Sequence, residues 1–230
     1  MLNIPIKKQP DETTCGPTCL QTIYEYYNDP VSLSTVIEQV PQFEDGGTLG
    51  VFLAVHALKR GYQATICSYN LHVFDPTWKG KPRQIIIEKL QKQAEFKKDE
   101  KLKTTIDSYI RFLKLGGHLR FEDLRPAIIR RYLKKEQPVI AGLSATCLYQ
   151  SAREFGPELI YDDIRGEPTG HFVVLHGYDV QNREVYIADP LGKSPVTDGL
   201  FYKLKIDRVI NAILLGIVTY DANLIIITPK

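Results

Sequence analysis

A cysteine stands where a helix is predicted to begin, and this position constrains the chain more than any other feature of its sequence. Cys15 opens the run Cys15-Gly16-Pro17. Apolar residues with helical spacing follow it, at Leu20, Ile23, Tyr24 and Tyr27. We therefore predict an amphipathic helix over residues 15–27, with Cys15 in its first turn.

The start of this predicted helix favours a thiolate at Cys15. The first turn of a helix has unpaired N–H groups and about half a positive charge, and both stabilise an anion. Thr13 and Thr14 are expected to cap the helix, and Pro17 suits an early position because its missing N–H costs nothing there. The sequence thus predicts a nucleophile at Cys15.

A histidine and an aspartate stand at the ends of two predicted strands. His171 begins one apolar run and Asp189 ends another, with strands expected at residues 171–178 and 184–188. Antiparallel pairing around a loop centred on Val180 places His171 opposite Asp189, where a carboxylate accepts the imidazole N–H. We predict that His171 is the general base and that Asp189 orients its ring.

A second histidine, His176, lies on the same predicted strand. It follows His171 by five residues, so the alternation of side chains directs it to the other face of the strand, opposite Glu184. We predict a structural role for His176.

A polar donor precedes the nucleophile. Gln9 lies six residues before Cys15, and its side-chain amide is expected to donate, with the backbone N–H of Cys15, to an oxyanion. The predicted reaction is acyl transfer: the thiolate attacks a carbonyl, a thioester forms, and water or an amine resolves it. The catalytic set is therefore Cys15, His171 and Asp189, with Gln9 as oxyanion donor.

The composition sets limits on the function. The chain has 230 residues, 43% of them hydrophobic and 24% charged, with a net charge of +2. These values predict a globular protein with a substantial core, and they exclude disorder, a disulfide-dependent mini-fold and a general polyanion-binding role. We expect no nucleic acid partner. The sequence has no signal-like segment and no apolar run of membrane-spanning length, so we expect no membrane partner and a cytoplasmic location.

The cysteines are few and irregularly spaced, which favours reduced thiols. Cys15 and Cys19 form a C-x3-C pair, but no second closely spaced Cys/His pair follows, so we expect neither a metal nor a cofactor. Cys19, Cys67 and Cys147 are interpreted as packed small side chains. A redox switch between Cys15 and Cys19 is a minor alternative.

The remaining pattern predicts helices first and mainly antiparallel strands later, an α+β fold. Ser32 or Ser34 is expected to cap a short helix through Val40, and Thr48 to cap a third helix through Lys59. The other predicted helices cover 84–114 with a break near 98–99, 121–135, and 206–215. The other predicted strands cover 62–69, 139–143 and 224–228. Residues 70–82 are predicted as a loop, and 144–170 as a long connection that is either a lid or a surface insertion with its own helix.

These motifs resemble those of the C39-like branch of the papain-like cysteine peptidases. Gln9 with Cys15-Gly16-Pro17 resembles the amino-terminal box of that family, residues 171–178 its histidine strand, and Ala188-Asp189-Pro190 its aspartate box. The resemblance implies an α+β papain-like cysteine peptidase fold, with the N-terminal nucleophile helix packed on an antiparallel sheet and with helical insertions. It also implies one C39-like peptidase domain over residues 1–230, with insertions at 75–117 and 144–170. The resemblance implies the same roles for four residues: Cys15 as nucleophile, His171 as base, Asp189 as orienting residue and Gln9 as oxyanion donor.

The chain differs from the best-known members of this family. The best-known members of the family are domains of transporters that trim leader peptides, and this chain has neither membrane spans nor a phosphate-binding loop, so transport coupling is not predicted. We expect hydrolysis of a peptide or amide bond, with a peptide or protein substrate. An acyltransferase or transpeptidase with the same triad, or a catalytically inactive peptide-binding module, are the alternatives. The sequence does not predict the oligomeric state.

Overall fold

The computed structural model describes residues 1–43 and 46–230. The helices of this part of the chain are α1 Cys15–Tyr26, α2 Leu33–Gln39, α3 Gly50–Lys59, α4 Arg83–Phe96, α5 Glu100–Lys114, α6 Pro126–Leu133, α7 Ala145–Tyr149 and α8 Ile206–Leu215. The strands are β1 Gln63–Ser68, β2 His118–Arg120, β3 Val139–Ser144, β4 Glu154–Phe155, β5 Ile160–Tyr161, β6 Gly170–Asp179, β7 Glu184–Ala188, β8 Phe201–Lys205 and β9 Asn223–Thr228.

Most strands join one large sheet with the order β2-β1-β9-β3-β6-β7-β8. The pair β1 and β2 is parallel, and the other neighbours in this sheet are antiparallel. The last strand of the chain, β9, lies between β1 and β3, in the middle of the sheet. The predicted α+β class with a mainly antiparallel sheet is therefore confirmed.

Helices cover both faces of this sheet. Along β6, Phe172 and Val174 pack into the core that contains α1 to α5, whereas Val173 and Leu175 pack into the core with α6 to α8. Alternate side chains of a strand point to opposite faces, so a strand buried on both faces needs apolar residues at every position. This requirement explains the continuous apolar run that follows His171.

Several predicted elements occur at their expected bounds. The helix at 206–215 and the strand at 184–188 match α8 and β7. The helical region 84–114 divides near 98–99 as predicted, because Asp99 caps α5 by accepting a hydrogen bond from the backbone N–H of Leu102.

The predicted helix at 121–135 is shorter in the structure and begins at Pro126. Arg125 is extended, with φ −135° and ψ 154°, because a residue that precedes proline is disfavoured in the helical region. Four strands were missed by sequence reasoning. They are the three-residue strand β2, the two-residue strands β4 and β5, and the edge strand β8. Along β8 every residue is exposed or only partly buried, and Phe201 lies on the exposed side, so the strand lacks the apolar alternation of a half-buried strand.

Two helix caps differ from the prediction. Thr14 occupies the cap position of α1 but makes no capping hydrogen bond, because its hydroxyl donates to the carbonyl of Asp11. The backbone N–H and the hydroxyl of Thr13 both donate to the Asp11 carboxylate. At α3, Thr48 donates to the carbonyl of Pro41 instead of capping the helix. The start of α3 is capped from a distant part of the chain, by Asp221, as described below.

The predicted insertions have regular structure of their own. Residues 75–117 contain α4 and α5, and their apolar side chains, among them Leu90, Ile106 and Phe112, join the same core as α1. Residues 144–170 contain the short helix α7 and an antiparallel hairpin of β4 and β5. This hairpin borders the cleft described next.

Candidate active site

The first turn of α1 lies close against β6, and glycine makes this approach possible. A Cβ atom at Gly16 would lie 2.5 Å from the Cγ2 atom of Thr48 and 3.3 Å from the Cδ2 atom of Phe172. One helical turn later, the Cys19 thiol donates to the carbonyl of Phe172 with a sulfur–oxygen distance of 3.3 Å. Glycine at position 16 therefore lets α1 hold Cys15 at the edge of the sheet.

Cys15 lies at the wall of a cleft of about 400 Å³ that His171 also lines. The Cys15 side chain is 8% exposed. Within the described residues, the backbone N–H groups of Cys15 and Gly16 donate no hydrogen bond, whereas Thr18 begins the regular helical bonding to Thr14. Pro17 has no N–H to donate. The helix start thus offers two unpaired donors next to the thiol.

His171 and Asp189 form a buried pair. The Nε2 atom of His171 lies 2.8 Å from the Oδ1 atom of Asp189, and the two side chains are 7% and 1% exposed. The pair meets diagonally across the strands, because the predicted register is wrong: Val174 pairs with Ala188, so the next position opposite Asp189 is Val173. His171 shares a face with Val173, and diagonal neighbours on one face remain within reach of an imidazole ring.

The shift in register comes from the turn and from an irregularity in β6. Asp179 pairs with Glu184, so the turn contains residues 180–183 and is not centred on Val180. The register then shifts between Leu175 and Gly177, where His176 has no strand partner. The prediction that His176 faces Glu184 is therefore wrong.

His176 binds the N-terminal segment instead. Its Nδ1 atom lies 2.9 Å from the carbonyl oxygen of Leu2, and the Leu2 N–H donates to the His176 carbonyl. Burial lowers the pKa of His176, although the hydrogen bond to Leu2 acts in the opposite direction. These contacts hold the start of the chain against β6.

Four donors surround the Asp189 carboxylate. Its Oδ2 atom accepts hydrogen bonds from the hydroxyls of Tyr149 at 2.8 Å and of Tyr202 at 2.6 Å. Its Oδ1 atom accepts from His171 and from the backbone N–H of Leu191. Sequence reasoning missed both tyrosines, which lie on α7 and β8, and no spacing motif in the sequence connects them to Asp189.

The charges of the buried pair shift both pKa values. Burial alone would lower the pKa of His171, but the charges of Asp189 and Cys15, with hydrogen bonds to both, raise it to about 10. Burial would raise the pKa of Asp189, but the His171 charge, the donors around the carboxylate and the bond to His171 lower it to about 2. Since Asp189 binds Nε2, the Nδ1 atom of His171 is the nitrogen that remains for the sulfur of Cys15.

Gln9 lies beside the loop that follows Asp189. Its backbone N–H donates to the carbonyl of Pro190 at 2.8 Å, and its side-chain Nε2 atom donates to the carbonyl of Asp11 at 2.8 Å. The Oε1 atom of Gln9 is buried and has no hydrogen-bond partner among the described residues. An amide nitrogen has two hydrogens, so one N–H of Gln9 remains for a ligand.

Three of the four predicted residues line two pockets that share His171. Cys15 and His171 line the cleft of about 400 Å³, whereas Gln9 and His171 line a second pocket of about 500 Å³. Both pockets are also lined by Glu154 and Leu159 of the hairpin region. The structure thus brings His171 together with each of the other three residues, while Gln9 and Cys15 line different pockets.

The remaining cysteines are also free thiols. Burial raises the pKa of Cys19 and of Cys67 above the usual range of a thiol, which agrees with their interpretation as packed side chains. Within residues 1–43 and 46–230, no group of three or more His, Cys, Asp or Glu side chains is placed to hold a metal ion. In the same ranges, every helix is too short or too polar to cross a bilayer.

The chain belongs to the Peptidase_C39 like family, whose model matches residues 1–198. This match agrees with the resemblance seen in the sequence. The part of the chain beyond residue 198 contains β8, α8 and β9, and it contributes Tyr202 to the Asp189 carboxylate.

The chain also aligns with solved structures. A putative C39-like peptidase from Bacillus anthracis aligns with a TM-score of 0.51 and 18% identity, covering 100% of this chain and 96% of the other. A double glycine motif protease from an AMS/PCAT transporter, solved in complex with the leader peptide, has a TM-score of 0.48, 16% identity and coverages of 100% and 94%. The peptidase domain of Streptococcus ComA has a TM-score of 0.47, 14% identity and coverages of 100% and 100%. The curated proteins contain no match to the chain.

Proposed function

We propose that this protein is a cysteine peptidase or amidase that hydrolyses a peptide or amide bond through a covalent thioester. The observation that carries the proposal is the position of His171, which binds Asp189 and lines the same open cleft as Cys15, close enough for the charge of Cys15 to raise the pKa of the imidazole. A nucleophile, a base and an orienting carboxylate in this order are sufficient for acyl transfer. Membership of a peptidase-like family supports the same reaction class.

The first half of the reaction forms the thioester. The Cys15 thiolate attacks the carbonyl carbon, and the carbonyl oxygen becomes an oxyanion that the N–H groups of the α1 start and the free amide N–H of Gln9 stabilise. The C–N bond then breaks, and the leaving amine takes a proton from the His171 imidazolium. The acyl group remains on the sulfur.

The second half returns the enzyme to its starting state. Water attacks the thioester carbonyl while His171 takes a proton from it, and the C–S bond breaks to release the carboxylic acid and the Cys15 thiolate. His171 then again carries the proton that pairs with this thiolate. Asp189 stays ionised throughout, and Tyr149 and Tyr202 stabilise its charge while it orients the imidazole.

A peptide library tests this proposal. Wild-type protein and the Cys15→Ala variant are incubated with mixed peptides, and the products are identified by mass spectrometry. Cys147→Ala is the matched control, because Cys147 is a free and partly buried thiol outside the cleft. We expect cleavage with wild type and with Cys147→Ala and none with Cys15→Ala. Failure of all three proteins to cleave any peptide, or cleavage by Cys15→Ala, contradicts the proposal.

The same incubation separates hydrolysis from transfer. The triad serves either outcome, since a thioester reacts with water or with an amine according to what the cleft admits. With added amines, hydrolysis predicts free carboxylic acid as the main product. Amide adducts in place of acid would assign the acyltransferase alternative.

A further inference from the structure

A buried carboxyl group lies in the wall of the cleft. Asp221 is 5% exposed, yet it lines the same cleft as Cys15. It lies just before β9, in the part of the chain beyond the match to the family. The proposed reaction does not use Asp221.

The two carboxylate oxygens of Asp221 have different surroundings. The Oδ1 atom accepts hydrogen bonds from the backbone N–H of Gly50 at 2.8 Å and from the side-chain amide of Asn223 at 3.2 Å. The Oδ2 atom accepts no hydrogen bond from any residue in the described ranges. One oxygen therefore caps the start of α3, and the other remains for a group that enters the cleft.

One aromatic ring separates Asp221 from the helix that carries the nucleophile. A Cβ atom at Gly50 would lie 3.1 Å from Asp221 Oδ1 and 3.5 Å from Phe172 Cε1. A Cβ atom at Gly16 would lie 3.3 Å from Phe172 Cδ2. Asp221 and the first turn of α1 thus both lie near the Phe172 ring, which places the carboxyl group and Cys15 in the same region of the cleft.

The charged side chains of the cleft favour a cation. Among the described residues, four acidic ones line it: Glu12, Glu154, Glu167 and Asp221. The basic ones are His171, whose charge pairs with Asp189, and Lys101, whose Nζ atom lies over the rings of Phe43 and Tyr220. The walls of the cleft are therefore more acidic than basic.

We infer that Asp221 is a specificity residue that accepts the ammonium or guanidinium group of a lysine or arginine side chain near the scissile bond. This inference rests on the proposed function, because it names the substrate class of the same cleft. A buried carboxylate with one oxygen left unpaired in the wall of a cleft favours a long side chain with a charged tip.

The ionisation of Asp221 supports this inference and sets its pH dependence. Burial raises the pKa of Asp221 to about 7, although the Gly50 N–H, Asn223 and the charge of Lys101 act in the opposite direction. Tyr109 of α5 also lies within electrostatic reach of Asp221. Glu12, Glu154, Glu167 and His171 are the other titratable groups along the cleft. A cation binds the ionised carboxylate, so selectivity for lysine should increase as the pH rises through 7.

The test measures binding rather than cleavage. In a Cys15→Ala background, dye-labelled peptides with lysine or norleucine at each position in turn are titrated by fluorescence anisotropy at pH 8 and pH 5.5. Norleucine matches the apolar stem of lysine and lacks the charge. We expect lysine at one position to bind about tenfold more tightly than norleucine at pH 8, with a smaller preference at pH 5.5.

The variants identify the group responsible. Asp221→Asn removes the charge but retains an oxygen that can accept the hydrogen bond from the Gly50 N–H. We expect this variant to lose the lysine preference. A measured melting temperature shows whether the variant is folded. Asp207→Asn makes the same chemical change at an exposed residue of α8 that does not line the cleft, and it should retain the preference. The inference is overturned if the Cys15→Ala parent binds lysine and norleucine peptides equally or binds neither. It is also overturned if the lysine preference survives in Asp221→Asn. Because binding is read without the thiol, this result is independent of whether the wild type cleaves peptides.

Discussion

The Nε2 atom of His171 lies 2.8 Å from the Oδ1 atom of Asp189, although the strands that carry them do not pair these two positions. The contact is diagonal, and it depends on the donors that hold the carboxylate in place. Two of these donors are phenols from separate elements, Tyr149 on α7 and Tyr202 on β8. The surroundings of this carboxylate are therefore assembled from elements that are separate along the chain.

Replacing the orienting carboxylate should weaken catalysis without abolishing it. Asp189→Asn keeps the size of the side chain but removes the charge that raises the pKa of His171. We expect kcat/KM to fall about 10- to 1000-fold and the pKa of His171, measured by NMR of its ring protons, to move down towards the usual range. An unchanged pKa of His171 in the folded variant would contradict this electrostatic account.

The tyrosines should act as positioning residues. Tyr149→Phe and Tyr202→Phe each remove a hydrogen bond to a buried carboxylate, which typically contributes about 1.5–3 kcal/mol. We expect kcat to fall about tenfold in each variant with little change in KM. We also expect the double variant to lose less than the product of the two single losses, since both hydroxyls bind the same oxygen. Tyr186→Phe, on β7 and away from the cleft, is the control.

The charge on His171 predicts that the reactivity of the Cys15 thiol depends on this histidine. His171 remains protonated at neutral pH because its pKa is raised to about 10, and a neighbouring positive charge favours the nucleophilic form of a cysteine. We expect iodoacetamide to alkylate Cys15 at pH 6 at least about tenfold faster in wild type than in His171→Gln. Peptide mapping measures the modified fraction of each cysteine. Equal rates in the two proteins would indicate that His171 does not activate the thiol.

Asp221 should make stability depend on pH. Its pKa is raised from 3.8 to about 7, so the folded state favours the protonated carboxyl more than the unfolded state does. Stability from this group is present at low pH and is lost as the pH rises from about 4 to about 7. We expect Asp221→Asn to lack this loss, so that its melting temperature relative to wild type increases by on the order of 5 °C between pH 4 and pH 8. A difference that stays constant over this range would be inconsistent with the raised pKa.

Glycine at position 16 should be required for the approach of α1 to β6. In Gly16→Ala, the new methyl group meets the Cγ2 atom of Thr48, and such overpacking costs about 1–3 kcal/mol. We expect lower stability in urea denaturation and a loss of activity as Cys15 shifts.

A second substitution tests this mechanism directly. Thr48→Ser removes the opposing methyl group and retains the hydroxyl that donates to Pro41. We expect Thr48→Ser to restore part of the stability and activity of Gly16→Ala. Gly199→Ala, where the nearest side-chain atom is 3.8 Å away, is the control and should be neutral. An absence of rescue would mean that the clash with Thr48 is not the cause.

The sequence predicted the elements that have strong local signals. The spacing of apolar residues gave α1 and α8, and the capping residue Asp99 marked the division between α4 and α5. Cys15, His171, Asp189 and Gln9 were selected from local motifs, and their catalytic roles remain predictions. We also propose that residues 75–117 and 144–170 are insertions in a single domain, although both have regular structure.

Features that depend on distant contacts were not predictable. The register between β6 and β7 depends on an irregularity at His176, where the N-terminal segment binds, and local alternation does not reveal it. The cap of α3 comes from Asp221, 171 residues further along the chain. Tyr202 lies on an edge strand with exposed neighbours, and only the folded sheet brings its hydroxyl to Asp189.

Intact-protein mass spectrometry can detect the covalent bond that Cys15 is proposed to form with its substrate. A peptide found to be cleaved is mixed with the enzyme and quenched in acid within milliseconds to seconds, which preserves a thioester. We expect the protein mass to increase by the mass of the acyl fragment, and we expect this fragment to map to Cys15. The increase should be absent in Cys15→Ala and much reduced in His171→Gln. Cleavage of the peptide at an equal rate by Cys15→Ala, or an acyl group mapped to any other residue, would contradict this proposal.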